Sequence, residues 1–268
     1  MNNIIKKLAN FNAYVNANPF SIIYSKFSNI KTEVSDFFAF RLDGYETIFV
    51  AENSLALLLG KHVDCIHVFH FFDVNGAPCG LFKAGNDKFH HRLKINKKIT
   101  NNVVMGSFVH HVQYEDNILK QCKALLADIS FQHRGYTGFR KEKDFGYSYV
   151  HGNFGAVYFD KSQKIKSLAR LRSRHVYVPQ FIIKPSHEYE LIFSNPTNKK
   201  TCLEIFLIND IETKSLKNIC LNPHATYKFT LQDLDIKSDY NISWETSFPI
   251  GRCVVFEYHE KYFDVFHS

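Results

Sequence analysis

The groups best equipped for chemistry crowd into one stretch of this chain, Ser107 to His175. It holds five histidines (His110, His111, His133, His151 and His175) and closes on Arg170-Leu-Arg172-Ser-Arg174-His175. Read as a strand, this ending puts Arg170, Arg172 and Arg174 on one face, with successive members roughly 6.6 Å apart. Leu171, His175 and Tyr177 face the other way. Three guanidinium groups in a row repel until something neutralises them. Asp or Glu on a neighbouring strand would do so. So would a carboxylate, sulfate or phosphate ligand, which matches the guanidinium fork.

Two glycine-rich links in the same stretch add rings and amides. His133-Arg134-Gly135-Tyr136-Thr-Gly138-Phe-Arg140 is turn-rich, and Tyr147-Ser-Tyr149-Val-His151-Gly152-Asn153-Phe-Gly155 flanks Asn153 with glycines. Glycine permits a bulge or a close backbone approach. Tyr, Asn, His and Arg at a sheet edge form the inventory of a sugar site: rings stack on pyranose faces while amides and guanidinium groups bond hydroxyls. The candidate ligand-binding residues are therefore His110, His111, Arg134, Tyr136, Arg140, Tyr149, His151, Asn153, Arg170, Arg172 and Arg174. The bland alternative is that the aromatics are core and the glycines are turns.

Catalytic and metal signatures are sparse. His133 or His151 could act as a general acid or base, with an arginine stabilising a developing anion. The 14 histidines invite a metal. However, His67 and His70 point to opposite faces of a strand, and the adjacent pairs His90-His91 and His110-His111 also split across a sheet. There is no His-x-His and no His-Glu-x-x-His. A divalent metal held by His110 or His111 with His133 and His151 is the minority reading, and no cofactor is expected. Gly-x-Ser-x-Gly, Gly-x-x-x-x-Gly-Lys and Gly-x-Gly-x-x-Gly are all absent.

The elements that must position these groups read as strands. The chain has 268 residues, with 26 Phe and 14 Tyr against 2 Met and 1 Trp. Flat side chains pack well on a pleated surface. Phe37-Phe-Ala-Phe-Arg-Leu leads through Asp43-Gly44 into Tyr45-Glu-Thr-Ile-Phe-Val. Asp64 to Phe72 is nearly all apolar and runs into Asp73-Val-Asn75-Gly76. Phe89 to Ile95 alternates, with Phe89, His91, Leu93 and Ile95 on one face and His90, Arg92 and Lys94 on the other. Glu115 to Ile129 is the exception: Ile118, Cys122, Leu125, Leu126 and Ile129 make one apolar face of a helix.

Segments after residue 181 repeat this grammar. Tyr189-Glu-Leu-Ile-Phe parallels Tyr45-Glu-Thr-Ile-Phe, the run from Cys202 parallels that from Cys65, and Tyr227-Lys-Phe-Thr-Leu parallels Phe89-His-His-Arg-Leu. The expected architecture is mostly β. Residues 1–30 form an N-terminal arm, and 31–180 a first sandwich unit with the helix 115–129 inserted. Residues 181–268 form a second, smaller unit. Duplication explains the parallels, although any two antiparallel sheets share such patterns.

Charge and cysteine set the remaining bounds. The formal charge is +7, from 33 Lys+Arg and 26 Asp+Glu, and much of the excess is scattered Lys. That does not single out nucleic acid as a partner. The six cysteines lie apart, without Cys-x-x-Cys, and most sit in apolar runs, which fits a reducing compartment. There is no signal-like start and no 18-residue apolar run, so a cytoplasmic protein is expected. Self-association is compatible with all of this. The leading functional expectation is a binding or accessory protein for a polar, anionic ligand such as a carbohydrate or sugar derivative, at a cleft between the units. The alternatives are an enzyme using histidine acid–base chemistry in the same region, and a structural or assembly protein.

Overall fold

The computed structural model describes residues 33–85, 89–115, 117–118, 132–133, 135–141, 146–159, 165–167, 175–179, 181–231, 239–246, 252–260 and 262–267. The expected N-terminal arm, nearly all of the helix 115–129, and Arg134, Arg170, Arg172 and Arg174 lie outside these residues. The chain is mostly β, as its alternation predicts, with the strands in four sheets.

Sheet I joins β11 (Ile165–Ser167), β10 (Asn153–Phe159), β1 (Glu33–Arg41), β6 (Met105–Tyr114), β3 (Cys65–Phe72) and β4 (Pro78–Gly85) in that order. The short β7 (Gln132–His133) lies parallel to β1. Sheet II runs β5 (His90–Ile95), β2 (Glu46–Glu52), β8 (Gly135–Arg140), β9 (Ser148–His151). Their facing sides share a core of rings: Phe38, Phe40, Phe49, Phe69, Phe71 and Phe108 with Leu93 and Ile95. Alternation produces this. On β5, His91, Leu93 and Ile95 are buried while His90, Arg92 and Lys94 are exposed.

Sheet III runs β12 (His175–Tyr177), β18 (Tyr240–Thr246), β15 (Thr201–Ile208), β16 (Thr213–Leu221), with β13 (Ile182–Ile183) also on β18. Sheet IV runs β17 (Thr226–Thr230), β14 (Glu188–Ser194), β19 (Val254–His259), β20 (Tyr262–His267). Their shared core gathers Tyr189, Leu191, Phe193, Ile205, Leu207, Trp244 and Val255. One helix is described, α1 (Ser54–Leu59), which ends at Gly60 with φ 63°. The Asn53 side chain caps its start by accepting from the Ala56 N–H at 3.1 Å.

The two sheet pairs follow the same pairing order. Sheet II, β5-β2-β8-β9, corresponds strand for strand with sheet IV, β17-β14-β19-β20. The β4-β3-β6-β1 portion of sheet I corresponds with β16-β15-β18-β12 of sheet III. The three peptide parallels in the sequence fall on corresponding strands: β2 with β14, β3 with β15, β5 with β17.

A third apolar cluster joins the pairs. Ala39, Phe139 and Val150 meet Ile192, Val254, Phe256 and Val265. Arg41 is buried at its rim. It donates to Asp43 at 2.9 Å and to both carboxylate oxygens of Glu190, and its guanidinium lies 4.1 Å from the Tyr45 ring centre. Tyr258 and Lys228 also donate to Glu190, at 2.6 and 3.0 Å. Burial alone would raise the Glu190 carboxyl, but these donors hold it down at about 2. A second contact is made by the turn Asp73–Gly76 against Asn222–Ala225. The Thr226 N–H donates to the Val74 carbonyl, and the Ser107 hydroxyl to that of His224.

The cysteines depart from expectation in one respect. Cys202 and Cys220 are direct partners across the β15–β16 hairpin and form a disulfide on its exposed side. The hairpin register, not chain distance, decides this pairing. No described helix is long and apolar enough to cross a membrane.

Candidate functional site

The outer face of sheet II gathers the exposed rings and cations. On β8, Gly135, Thr137 and Phe139 are buried, so Tyr136, Gly138 and Arg140 face outward. Register puts Gly138 opposite Ile48 on one side and Tyr149 on the other. A Cβ on Gly138 would stand 2.8 Å from Tyr149 Cε1 and 3.0 Å from Ile48 Cγ1. The glycine thus lets the Tyr149 ring lie down across the sheet. Tyr149 and Tyr136 remain 48% and 46% exposed, so each presents a large apolar surface to water.

Cations border these rings. The Arg140 guanidinium lies 4.6 Å, and that of Arg92 5.6 Å, from the centre of the Tyr147 ring, which is 6.0 Å from Tyr149. Glu46 anchors the arrangement, accepting from Lys94 at 2.6 Å and from Arg140 at 2.9 Å. The Lys94 bond, with that from Arg140, holds the Glu46 carboxyl below the usual carboxylate range against a small opposing effect of burial. Glu46 therefore stays ionised and fixes two cations, while Arg92 and His90 add positive or titratable groups along β5.

His151 occupies the edge where sheet II meets sheet IV. Its Nδ1–H donates to the Gly152 carbonyl at 3.1 Å, and His267 Nε2–H donates to the His151 carbonyl. The two rings are 4.4 Å apart. Burial, reinforced by His151, pushes His267 down to about 4. Both residues line a small pocket at the junction with Thr137, Ser194 and Arg252, which has room for about one water molecule. The Thr137 hydroxyl is buried there without a hydrogen-bond partner, which suits such a water.

The other predicted site residues are dispersed. His110 and His111 are fully buried and point to opposite sides of β6. His110 shares a hydrogen bond with His67 at 2.8 Å inside the first core, beside Phe49 and Phe69. His111 stacks on His70 and contacts Gln113. Asn153 opens β10 opposite Phe37, and His133 lies on β7 opposite Ser35. Of the predicted set, Tyr136, Arg140, Tyr149 and His151 thus share sheet II. Sequence reasoning placed Arg92 and Lys94 on the outer side of β5 and noted Tyr147, but cross-strand register alone brings them beside Arg140.

Among the described residues, no group of three or more His, Cys, Asp or Glu converges to hold a metal ion. The Cys65 and Cys79 thiols are poor nucleophiles. Burial, with the charge of Asp64, pushes Cys65 up to about 12, and burial with Asp73 pushes Cys79 up to about 11.

No protein-family model matches the chain, and no curated protein matches it. Among solved structures it is similar to the infectious bursal disease virus Gx strain structure, at 11% identity over 80% of this chain and 52% of that chain, with a TM-score of 0.16. It is also similar to Bacteroides uniformis beta-glucuronidase, at 10% identity over 87% of this chain and 25% of that chain, with a TM-score of 0.17. The chain spans about half of the first and a quarter of the second. Overlap this low carries no argument about fold or function.

Proposed function

We propose that this is a binding module that holds an acidic carbohydrate chain along the outer face of sheet II. The observation behind this reading is the Tyr149 ring laid over Gly138, next to half-exposed Tyr136 and to Tyr147 flanked by Arg92 and Arg140. Flat rings stack on pyranose faces and exclude water there. Guanidinium groups take carboxylate or sulfate in two parallel hydrogen bonds. Glu46 fixes Lys94 and Arg140 in place, so a chain need not reorganise these two cations on binding. A neutral sugar would use the rings but leave the cations without a role.

Binding of heparin, polygalacturonate and a neutral glucan is the direct test, by affinity electrophoresis of the full chain. The acidic chains should retard the protein and the neutral one should not. Tyr149→Ala and Arg140→Gln should each weaken retardation several-fold, because each removes one kind of contact from the outer face of sheet II. Retardation of the variants equal to the parent, or none by any acidic polysaccharide, overturns the reading. A single-stranded oligonucleotide belongs in the same panel, since rings and arginines also stack bases. Preference for it over every glycan would replace the carbohydrate reading.

A further inference from the structure

The open end of the β15–β16 hairpin lies where the two sheet pairs meet. Cys202 and Cys220 are direct partners there, 18 residues apart in the chain, and their disulfide stands on the outer side of sheet III. Alternation decides that side: Thr201, Leu203, Ile219 and Leu221 are buried, while both cysteines are exposed. β16 is the last strand of its sheet, and no described strand pairs with its far edge. A thiol in solution can therefore approach the sulfur atoms from the face and from the edge. Cys65 and Cys253, in contrast, are free and buried.

What distinguishes this bridge is the segment it holds. Just past Cys220 the chain enters the turn Asn222–Ala225, which rests against Asp73–Gly76 of the first sheet pair. Asn195, fully buried, fixes that turn from the inside. Its side-chain amide donates to the carbonyls of Leu221 at 3.2 Å and Asn222 at 2.9 Å, and its backbone carbonyl accepts from the His224 N–H at 3.0 Å. The turn in turn grips the first pair: the Thr226 N–H donates to the Val74 carbonyl at 3.0 Å, and the His224 ring stacks on Phe72 with centres 4.6 Å apart. The disulfide fixes the same stretch of chain from the outside. One clamp is thus sealed from solvent and the other is open to thiol chemistry, and exposed disulfides are the ones that serve as labile, regulatory bonds.

We propose that the Cys202–Cys220 disulfide is a redox switch for the contact between the two sheet pairs, opened by a dithiol reductant. A thiolate of the dithiol attacks one cysteine sulfur. The S–S bond breaks, a mixed disulfide forms, and the other cysteine leaves as its thiolate. The second thiolate of the reductant then attacks the reductant's own sulfur in the mixed disulfide, so the second cysteine is released and the reductant departs as a disulfide. Two electrons have passed to the protein, and its two thiolates take up the protons that the dithiol gave up. A disulfide oxidant drives the reverse exchange. Opening removes the outer clamp alone. Leu221 to Thr226 then detaches more often from Asp73–Gly76, while Asn195 and the second core keep the hairpin folded. The proposal is independent of the carbohydrate reading, since it uses a different sheet and different residues.

The test is treatment of the air-oxidised, full-length protein with dithiothreitol under native conditions. Alkylation and mass spectrometry identify the thiols released, and amide hydrogen exchange reads the contact. Cys202 and Cys220 should become alkylated while far-UV circular dichroism stays unchanged. The His224 and Thr226 amides should then exchange at least tenfold faster, and the amides of the β14–β19 ladder at their former rates. Oxidised glutathione, added without alkylation, should restore slow exchange. The double variant Cys202→Ser, Cys220→Ser should exchange like the reduced parent and should not respond to dithiothreitol. The reduced parent decides the matter alone if that variant does not fold. Three results overturn the proposal: a bridge that resists dithiothreitol until the protein unfolds, sheets that melt when it opens, or opening that leaves His224 and Thr226 as protected as before.

Discussion

Acid should destabilise this protein before its carboxylates titrate, and His67 is the residue through which to test that. It is fully buried on β3, with the His91 ring 4.7 Å away and His110 within hydrogen-bonding distance. Burial, reinforced by His91, pushes it from 6.5 down to about 4. The unfolded chain therefore takes up this proton near pH 6.5, and the folded chain only near pH 4. The resulting stability is fully present above about 6.5 and is lost as pH falls through about 4. At about 1.4 kcal/mol per pH unit, the full window is worth about 3 kcal/mol, of which about 2 kcal/mol is gone by about pH 5. His224 and His267 are held near the same value by burial. They are only partly buried, so each should contribute less. The sum is nevertheless a large part of the 5–15 kcal/mol that typically holds a folded protein together.

The assay is urea unfolding of the parent and of His67→Phe at about pH 7.5 and about pH 5, choosing values on either side of the histidine window. Far-UV circular dichroism follows all sheets. Fluorescence of Trp244, buried against Tyr177 and Phe193, follows the second core. Phenylalanine keeps a ring in the stack but loses the His110 hydrogen bond, so the variant should be less stable than the parent near neutrality by about 1 kcal/mol. Its further loss on acidification should be smaller than the parent's by about 2 kcal/mol. If His67→Phe loses as much stability on acidification as the parent does, the reasoning is refuted: the proton is then taken up elsewhere.

Two further outcomes test the junction between the sheet pairs. Glu190→Ala leaves the Arg41 charge buried without its main partner and should lower stability by about 3–5 kcal/mol in urea unfolding, whereas Glu190→Gln retains an acceptor and should lose less. Equal and small losses in both would show that solvent replaces the carboxylate. Gly76→Ala meets two obstacles, a φ of 85° and a Cβ 1.9 Å from the Pro223 carbonyl oxygen. Its melting temperature should fall by several degrees, because the turn must pull away from Asn222–Ala225, and an unchanged value would mean that this contact is dispensable.

Much of the architecture is legible because strands write their burial into every second residue. His91, Leu93 and Ile95 go inside while His90, Arg92 and Lys94 stay outside, as the alternation of that segment predicts. The turn at Asn75-Gly76 forms where those residues predict, and Gly76 adopts the positive φ that such turns require. The site is less legible because register is not written locally. Tyr147 meets Arg92 only because β5, β2, β8 and β9 line up in that order. His151 meets His267 only because β9 runs beside β20. Cys202 and Cys220 look isolated until the β15–β16 hairpin sets them opposite each other. The histidines mislead for a related reason: their density suggests a surface site, yet His67, His91 and His110 are buried between sheets I and II, and His111 is buried on the other side of β6.

The correspondence between sheets II and IV gives the exposed face its meaning. Glu46 and Glu190 occupy matching places, each following a tyrosine and preceding an x-Ile-Phe run, and each is bonded to a lysine that stands opposite the next-but-one isoleucine: Lys94 opposite Ile48, Lys228 opposite Ile192. The next strand then diverges. Opposite Glu190 and Ile192 stand Phe256 and Val254, which are buried against the first sheet pair. Opposite Glu46 and Ile48 stand Arg140, half-buried on the outer side, and Gly138, covered by the Tyr149 ring. One framework thus carries apolar residues where it docks and a cation, a glycine and flanking tyrosines where it does not. If the open face were only unused docking surface, aliphatic residues or plain charges would serve equally there. A glycine that seats the Tyr149 ring, beside arginines stacked on Tyr147, instead fits a surface shaped for a flat, charged ligand. Gly138→Val discriminates between these accounts. It copies the sheet IV residue and displaces the ring, so it should remove acidic-glycan binding while leaving the Glu46 anchor and the fold in place.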